Sequence, residues 1–184
     1  MSDNSILYRT SSLDVHVPEE GRSIWGTVVP YNEVTTIADS GGRTYLERFQ
    51  VGAFARSIAE RGSKIQLYVG HETMRKLPVG RAVELEETSE GLQAVFELGH
   101  TSEAEDALTA IREGLVDSFS VGFRPLRQVT RDGVIVRTEA SLREVSLVGM
   151  PAYSGALVGG VRSDTPQLSV DMARKRLSIL LNSF

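Results

Sequence analysis

Short runs of alternating apolar and polar residues, punctuated by Gly, Pro and polar clusters, dominate the chain and predict a β-rich protein. They fall at 13–17, 24–29, 44–49, 64–71, 79–87, 92–98, 117–123, 134–138 and 142–148. Glu90-Gly91 separates two of them as a tight turn between paired strands. Three stretches follow helical spacing instead. Residues 52–60 place Phe54 and Ile58 one turn apart. In 102–114, Ala104, Ala107, Leu108, Ile111 and Leu115 form one apolar stripe. Ser102 is placed to cap it, Glu105 to complete a capping box and Gly114 to end it. Residues 169–182 carry Val170, Ala173, Leu177, Leu180 and Leu181 at similar spacing, with Arg174-Lys175-Arg176 among them. The intervening 154–167, with Gly155, Gly159, Gly160 and Pro166, reads as a linker. The pattern predicts an α+β, β-rich architecture, a barrel or sandwich decorated by helices. A main domain over 1–160 precedes a flexible linker and amphipathic helix over 161–184.

Composition narrows the function classes. With 184 residues, one compact domain and a small appendage are expected. Acidic residues exceed basic ones, 24 to 20, so no basic excess points to a nucleic-acid partner. Cysteine is absent, which excludes disulfides, cysteine–zinc sites and cysteine nucleophiles. No apolar run approaches the roughly 20 residues of a membrane span, and residues 1–10 are polar, so neither a membrane anchor nor a secretory signal is expected. No Walker or dinucleotide fingerprint is present, and Gly41-Gly42 and Gly159-Gly160 read as loop glycines. His71-Glu72 lacks the second histidine of a helical zinc motif. No cofactor and no metal are expected, and the oligomeric state is left open.

Candidate chemistry gathers on three of the runs. In 117–123, strand alternation puts Phe119, Val121 and Phe123 on one face and Ser118, Ser120 and Gly122 on the other. That bare second face either leaves room for a substrate chain beside a hydroxyl or lets another element pack closely. A serine nucleophile needs a neighbouring base. His71 closes a row that holds Ile65, Leu67 and Val69, and is either that base or a structural residue at a strand end. A catalytic imidazole in turn needs a partner on its second nitrogen. Glu144, alternating with Leu142, Ser146 and Val148, is the candidate; otherwise it is an edge glutamate paired with an arginine such as Arg143. Glu139, Asp132 and Glu72 are its rivals.

Six motifs in order carry a family resemblance. They are Trp25-Gly26-Thr27-Val28-Val29 with Tyr31-Asn32, Glu47-Arg48-Phe49 followed by Gly52-Ala53-Phe54, and Gly70-His71-Glu72 with Pro78-Val79-Gly80-Arg81. Glu90-Gly91-Leu92 follows, then Gly114-Leu115 ahead of Phe119-Ser120-Val121-Gly122-Phe123. Last comes Leu142-Arg143-Glu144-Val145-Ser146-Leu147-Val148 with Pro151-Ala152. Together they resemble the prohead (capsid-maturation) serine proteases of tailed bacteriophages, over residues 25–156.

The resemblance implies a closed or nearly closed β-barrel ringed by helices, like the herpesvirus assembly protease, with Ser120 as nucleophile and His71 as base. The viral relatives use a second histidine as third member. No histidine follows His100 here, so Glu144, in the matching segment, is the expected replacement. The implied substrates are the scaffold protein or the scaffolding segment of the major capsid protein, and the chain itself, inside an immature prohead in the bacterial cytoplasm. Oxyanion donors are expected among backbone amides near 149–153 or from Arg81 or Arg124. The C-terminal helix is expected to dock on capsid or scaffold chains, to present a self-cleavage site, or to pack back on the domain.

Overall fold

The computed structural model describes residues 6–11, 15, 21–38 and 43–149, all within one unit spanning 1–154. The run at 13–17 (Val15 apart), the linker and the third predicted helix lie outside the described residues. The described strands are β1 (Leu7–Ser11), β2 (Ser23–Pro30), β3 (Thr35–Ala38), β4 (Thr44–Phe49), β5 (Gln66–Val69), β6 (Gly80–Glu87), β7 (Gly91–Leu98), β8 (Ser118–Arg131) and β9 (Val134–Val148). The described helices are α1 (Ala55–Arg61) and α2 (Ser102–Arg112), with a 3-10 turn at Gly62–Lys64.

One hydrogen-bonded path runs β1-β8-β9-β5-β6-β7-β2, with β4 joining β9 from the side and β3 pairing β4. The sheet is strongly curled into a half-barrel, and among the described residues its hydrogen-bonded path does not close on itself. β9 organises it. Its first half pairs in parallel with β4, Leu46 opposite Val134, and its second half in parallel with β5, Leu67 opposite Val145. β8 runs antiparallel along nearly its whole length.

The inside of the curl is apolar. Phe119, Val121 and Phe123 of β8 meet Leu142, Val145 and Leu147 of β9, all at most 1% exposed. Phe123 packs edge-on to Phe49 with ring centroids 5.0 Å apart, and Phe49 stacks on Phe54 at 5.4 Å. Aromatic pairs of this kind add about 0.5–1.5 kcal/mol beyond the area they bury. The consequence for function is rigidity: the strand that carries Ser120 is locked by its other face.

Several elements differ from those the sequence predicts. The two runs at 134–138 and 142–148 are one continuous strand, and 117–123 extends to Arg131. These extensions pair mainly with each other, so their edges need no apolar alternation. Thr101, not Ser102, caps α2: its side chain accepts from the Ala104 amide. Gly114 ends that helical segment with φ of 71°, and Leu115 beyond it is exposed. β1 and β3 lack an apolar repeat, and their strand state comes from pairing with β8 and β4.

Candidate active site

Ser120 is held on β8 between two fully buried core residues, Phe119 and Val121, so its hydroxyl projects from the opposite face. His71 reaches that face from two residues beyond β5. The strand stops at Val69, and Gly70 adopts φ of 68°, a left-handed conformation that costs glycine little. His71 therefore does not continue the row of Ile65 and Leu67; the turn re-aims its ring across β9 toward β8.

Glu144 arrives by a second irregularity. Gly122 pairs with Glu144 but Phe123 pairs with Leu142, which leaves Arg143 as an extra residue in β9. Such a bulge reverses the inside–outside parity of a strand. Leu142 accordingly lies in the core with Val145 and Leu147, while Glu144 and Ser146 face the other way with Ser120 and Gly122. Simple alternation had put Leu142 and Glu144 on one face. The Ser57 hydroxyl of α1 accepts from the Leu142 amide at 2.9 Å, fixing the backbone beside the bulge.

The three side chains meet. His71 Nε2 lies 2.7 Å from Ser120 Oγ, and His71 Nδ1 lies 2.8 Å from Glu144 Oε1. Glu144 is 5% exposed. Among the described residues no lysine or arginine is within ion-pair distance of it, so its hydrogen-bonding partners are His71 and Ser146. With Nδ1–H donating to the carboxylate, Nε2 is left to accept the serine proton. The rivals do not enter this contact. Glu139 pairs with Arg56 and Arg127, Glu72 with Lys76, and Asp132 occupies the β8–β9 turn with φ of 51°.

Residues that periodicity alone did not single out complete the site. Ser146 Oγ lies 2.6 Å from Glu144 Oε2 and 2.8 Å from the Gly70 carbonyl, so its one proton is shared between the carboxylate and the turn that aims His71. Gly122 supplies the space: a Cβ there would sit 2.6 Å from Glu144 Oε1. The bare face of β8 is thus filled by the carboxylate rather than open. Tyr8 and Tyr68 flank the cluster, and burial first, then the Glu144 charge, raises both phenols above their ordinary pKa. Tyr8 packs its ring 4.2 Å from that of His71. Of the expected oxyanion donors, Arg81 is exposed on β6, pairing with Gln66 and Glu97. Arg124 lies four residues along β8 from Ser120. Burial, then the charges of Arg61 and Arg124, lowers the pKa of nearby Arg143, which marks a crowded cationic edge beside the bulge. Residues 150–153 lie outside the described residues.

The arrangement can move a proton from a hydroxyl to an imidazole and stabilise the resulting imidazolium, which is the requirement for acyl transfer from a serine. Comparison with known proteins agrees in kind. A family model described as Caudovirus prohead serine protease matches residues 11–169. Among solved structures, the bacteriophage T4 capsid assembly protease, gp21, is similar with a TM-score of 0.55 at 10% identity, over 79% of this chain and 98% of that one. No curated protein matches.

Proposed function

The chain belongs to the caudovirus prohead serine protease family, and from that premise we propose that Ser120, His71 and Glu144 form the catalytic triad of a serine endopeptidase acting in prohead maturation. The observation that carries the assignment is the single imidazole bridging Ser120 Oγ and Glu144 Oε1 at 2.7 and 2.8 Å. His71 takes the Ser120 proton as the oxygen attacks a peptide carbonyl. The same proton then passes from Nε2 to the leaving amine, and an acyl-enzyme remains. Water, deprotonated by His71, releases it. Glu144 keeps the Nδ1–H tautomer and balances the imidazolium at both steps. Preorganised donors at the oxyanion contribute on the order of 3 kcal/mol each in such reactions.

The substrates in this reading are the scaffold protein, the scaffolding segment of the major capsid protein, and the chain itself. The place of action is the immature prohead in the bacterial cytoplasm. The family match and the fold shared with a phage capsid assembly protease support it. Kinship with the herpesvirus assembly protease belongs to the same reading; there a carboxylate here would replace the second histidine. Co-expression with the major capsid and scaffold proteins of the same phage tests it. Intact masses are expected to show trimmed products with native Ser120 and full-length chains with Ser120→Ala. Uncut chains in both, or the same products in both, would remove the protease assignment from Ser120.

A further inference from the structure

A nucleophile must be reached by its substrate, yet Ser120 has no exposed surface. β1 stands in the way. It pairs antiparallel along the edge of β8 that β9 leaves free, with Thr10 opposite Ser120 and Tyr8 opposite Gly122. Thr10 Oγ1 donates to Ser120 Oγ at 3.1 Å, and the Arg9 carbonyl oxygen lies 3.1 Å from the same hydroxyl. With Tyr8 against the His71 ring, three consecutive residues of one short strand occupy the approach to the nucleophile and its base.

The carbonyl contact is chemically informative. A serine hydroxyl has one proton, and when it is donated to Arg9 it is withheld from His71. β1 therefore lies where an extended substrate would lie, with its backbone accepting the proton of the Ser120 hydroxyl.

Its anchor holds β1 yet can part without stranding a buried charge. Arg9 Nε lies 2.5 Å from Glu47 Oε1, Arg9 Nη2 donates to Tyr45 at 2.8 Å, and the guanidinium sits 5.5 Å above the Phe123 ring. Glu47 is simultaneously held by Arg137 at 2.5 Å. When Arg9 leaves, the buried carboxylate keeps a cation, so no unpaired charge opposes departure. A five-residue edge strand falls at the low-stability end of a fold.

We propose that β1 is a built-in occupant of the substrate edge: peptide substrates dock as extended strands antiparallel to β8 by displacing Leu7–Ser11, which until then holds the nucleophile closed. The proposal rests on Ser120 being the nucleophile, and adds the mode of substrate docking, β-strand addition, and the restraint on it. A docking peptide with Arg or Lys at the position of Arg9 inherits the Glu47 contact.

Two full-length variants test it from opposite ends of β1: Arg9→Glu sets a carboxylate against Glu47, and Leu7→Asp removes the apolar contact with the core. Each is treated with a small serine-reactive phosphonate while amide hydrogen exchange is followed in residues 7–11 and 119–123. Both variants are expected to exchange faster there and to be labelled at Ser120 at least about tenfold faster, because the wild-type rate is scaled by the small fraction of molecules with β1 open. A synthetic peptide of residues 6–11 is expected to bind the variants, by fluorescence anisotropy, and to slow their labelling. Where one variant fails to fold, the other carries all the readouts. A variant that exchanges freely in 7–11 yet is labelled at the wild-type rate overturns the proposal, as does a peptide that fails to bind it. If the peptide binds the vacated edge but no form of the protein is labelled, docking on β8 stands and the reading of Ser120 as nucleophile falls.

Discussion

Two buried carboxylates sit on neighbouring strands and behave as opposites. Glu47 on β4 is 2% exposed and bracketed by Arg9 and Arg137. Glu144 on β9 is 5% exposed and meets only an imidazole and a hydroxyl among the described residues. Guanidinium groups keep their charge at any working pH, so Glu47 is compensated permanently and its cluster serves to tie β1, β4 and β9 together. Glu144 is compensated fully only when His71 carries a proton. The first cluster is at rest; in the mechanism proposed above, the second is balanced by the step that takes a proton from Ser120. Burial of charge alone does not mark a site; burial whose compensation is conditional does.

Substitutions at the two glutamates separate these roles most sharply. Glu144→Gln is expected to cut cleavage of capsid or scaffold chains by about 10,000-fold, roughly 5 kcal/mol of barrier, with thermal unfolding little changed. Steady-state cleavage beside a melting curve checks both halves; near-normal turnover moves the third role elsewhere. Glu47→Gln should do the reverse, losing about 3–5 kcal/mol of stability because Arg137, 4% exposed, loses its carboxylate partner and keeps only neutral ones such as Gln128. Urea unfolding measures this, and cleavage per folded molecule is expected not to fall. Gly122→Ala comes next. Its Cβ would stand 2.6 Å from Glu144 Oε1. A displacement of the carboxylate should cost about 100-fold in rate and about 1–3 kcal/mol in stability, read from the same two assays.

The smallest effect concerns a third carboxylate contact, Tyr31 with Glu87. Burial, reinforced by the hydrogen bond and charge of Glu87, pushes the Tyr31 phenol far above its ordinary value of 10.0. The folded protein then keeps a proton that the unfolded chain releases above pH 10, so this contribution is complete below pH 10 and is lost as pH rises beyond it. Melting temperature against pH above 10 should fall less steeply for Tyr31→Phe than for the native protein. Equal slopes would place that contact outside the alkaline response.

Much of the fold was legible because its strands are half-buried and alternate: 44–49 is β4 to the residue, β6 and β7 differ from the predicted runs by one residue at the start, and β2 by one residue at each end. β1 was not, since Leu7-Tyr8-Arg9-Thr10-Ser11 has no repeat and becomes a strand only through the edge that β8 offers. At the site, ordered motifs singled out Ser120, His71 and Glu144, and the structure brings them together. The means escaped periodicity in both cases. A left-handed Gly70 and a bulge at Arg143 break the very alternation from which side-chain direction is read. Gly122 shows the same limit: a small residue on a bare face reads as open space or as room for a neighbour without saying which neighbour, and the neighbour proves to be Glu144.

Whether Ser120 and His71 act as one chemical unit is tested most directly by a double-mutant cycle on cleavage. Ser120→Ala and His71→Ala are each expected to lower the rate by about a million-fold, with the double variant no slower than either, as for groups that serve a single step. Losses that multiply in the double variant, or a Ser120→Ala protein that still cleaves at the native rate, would contradict the account.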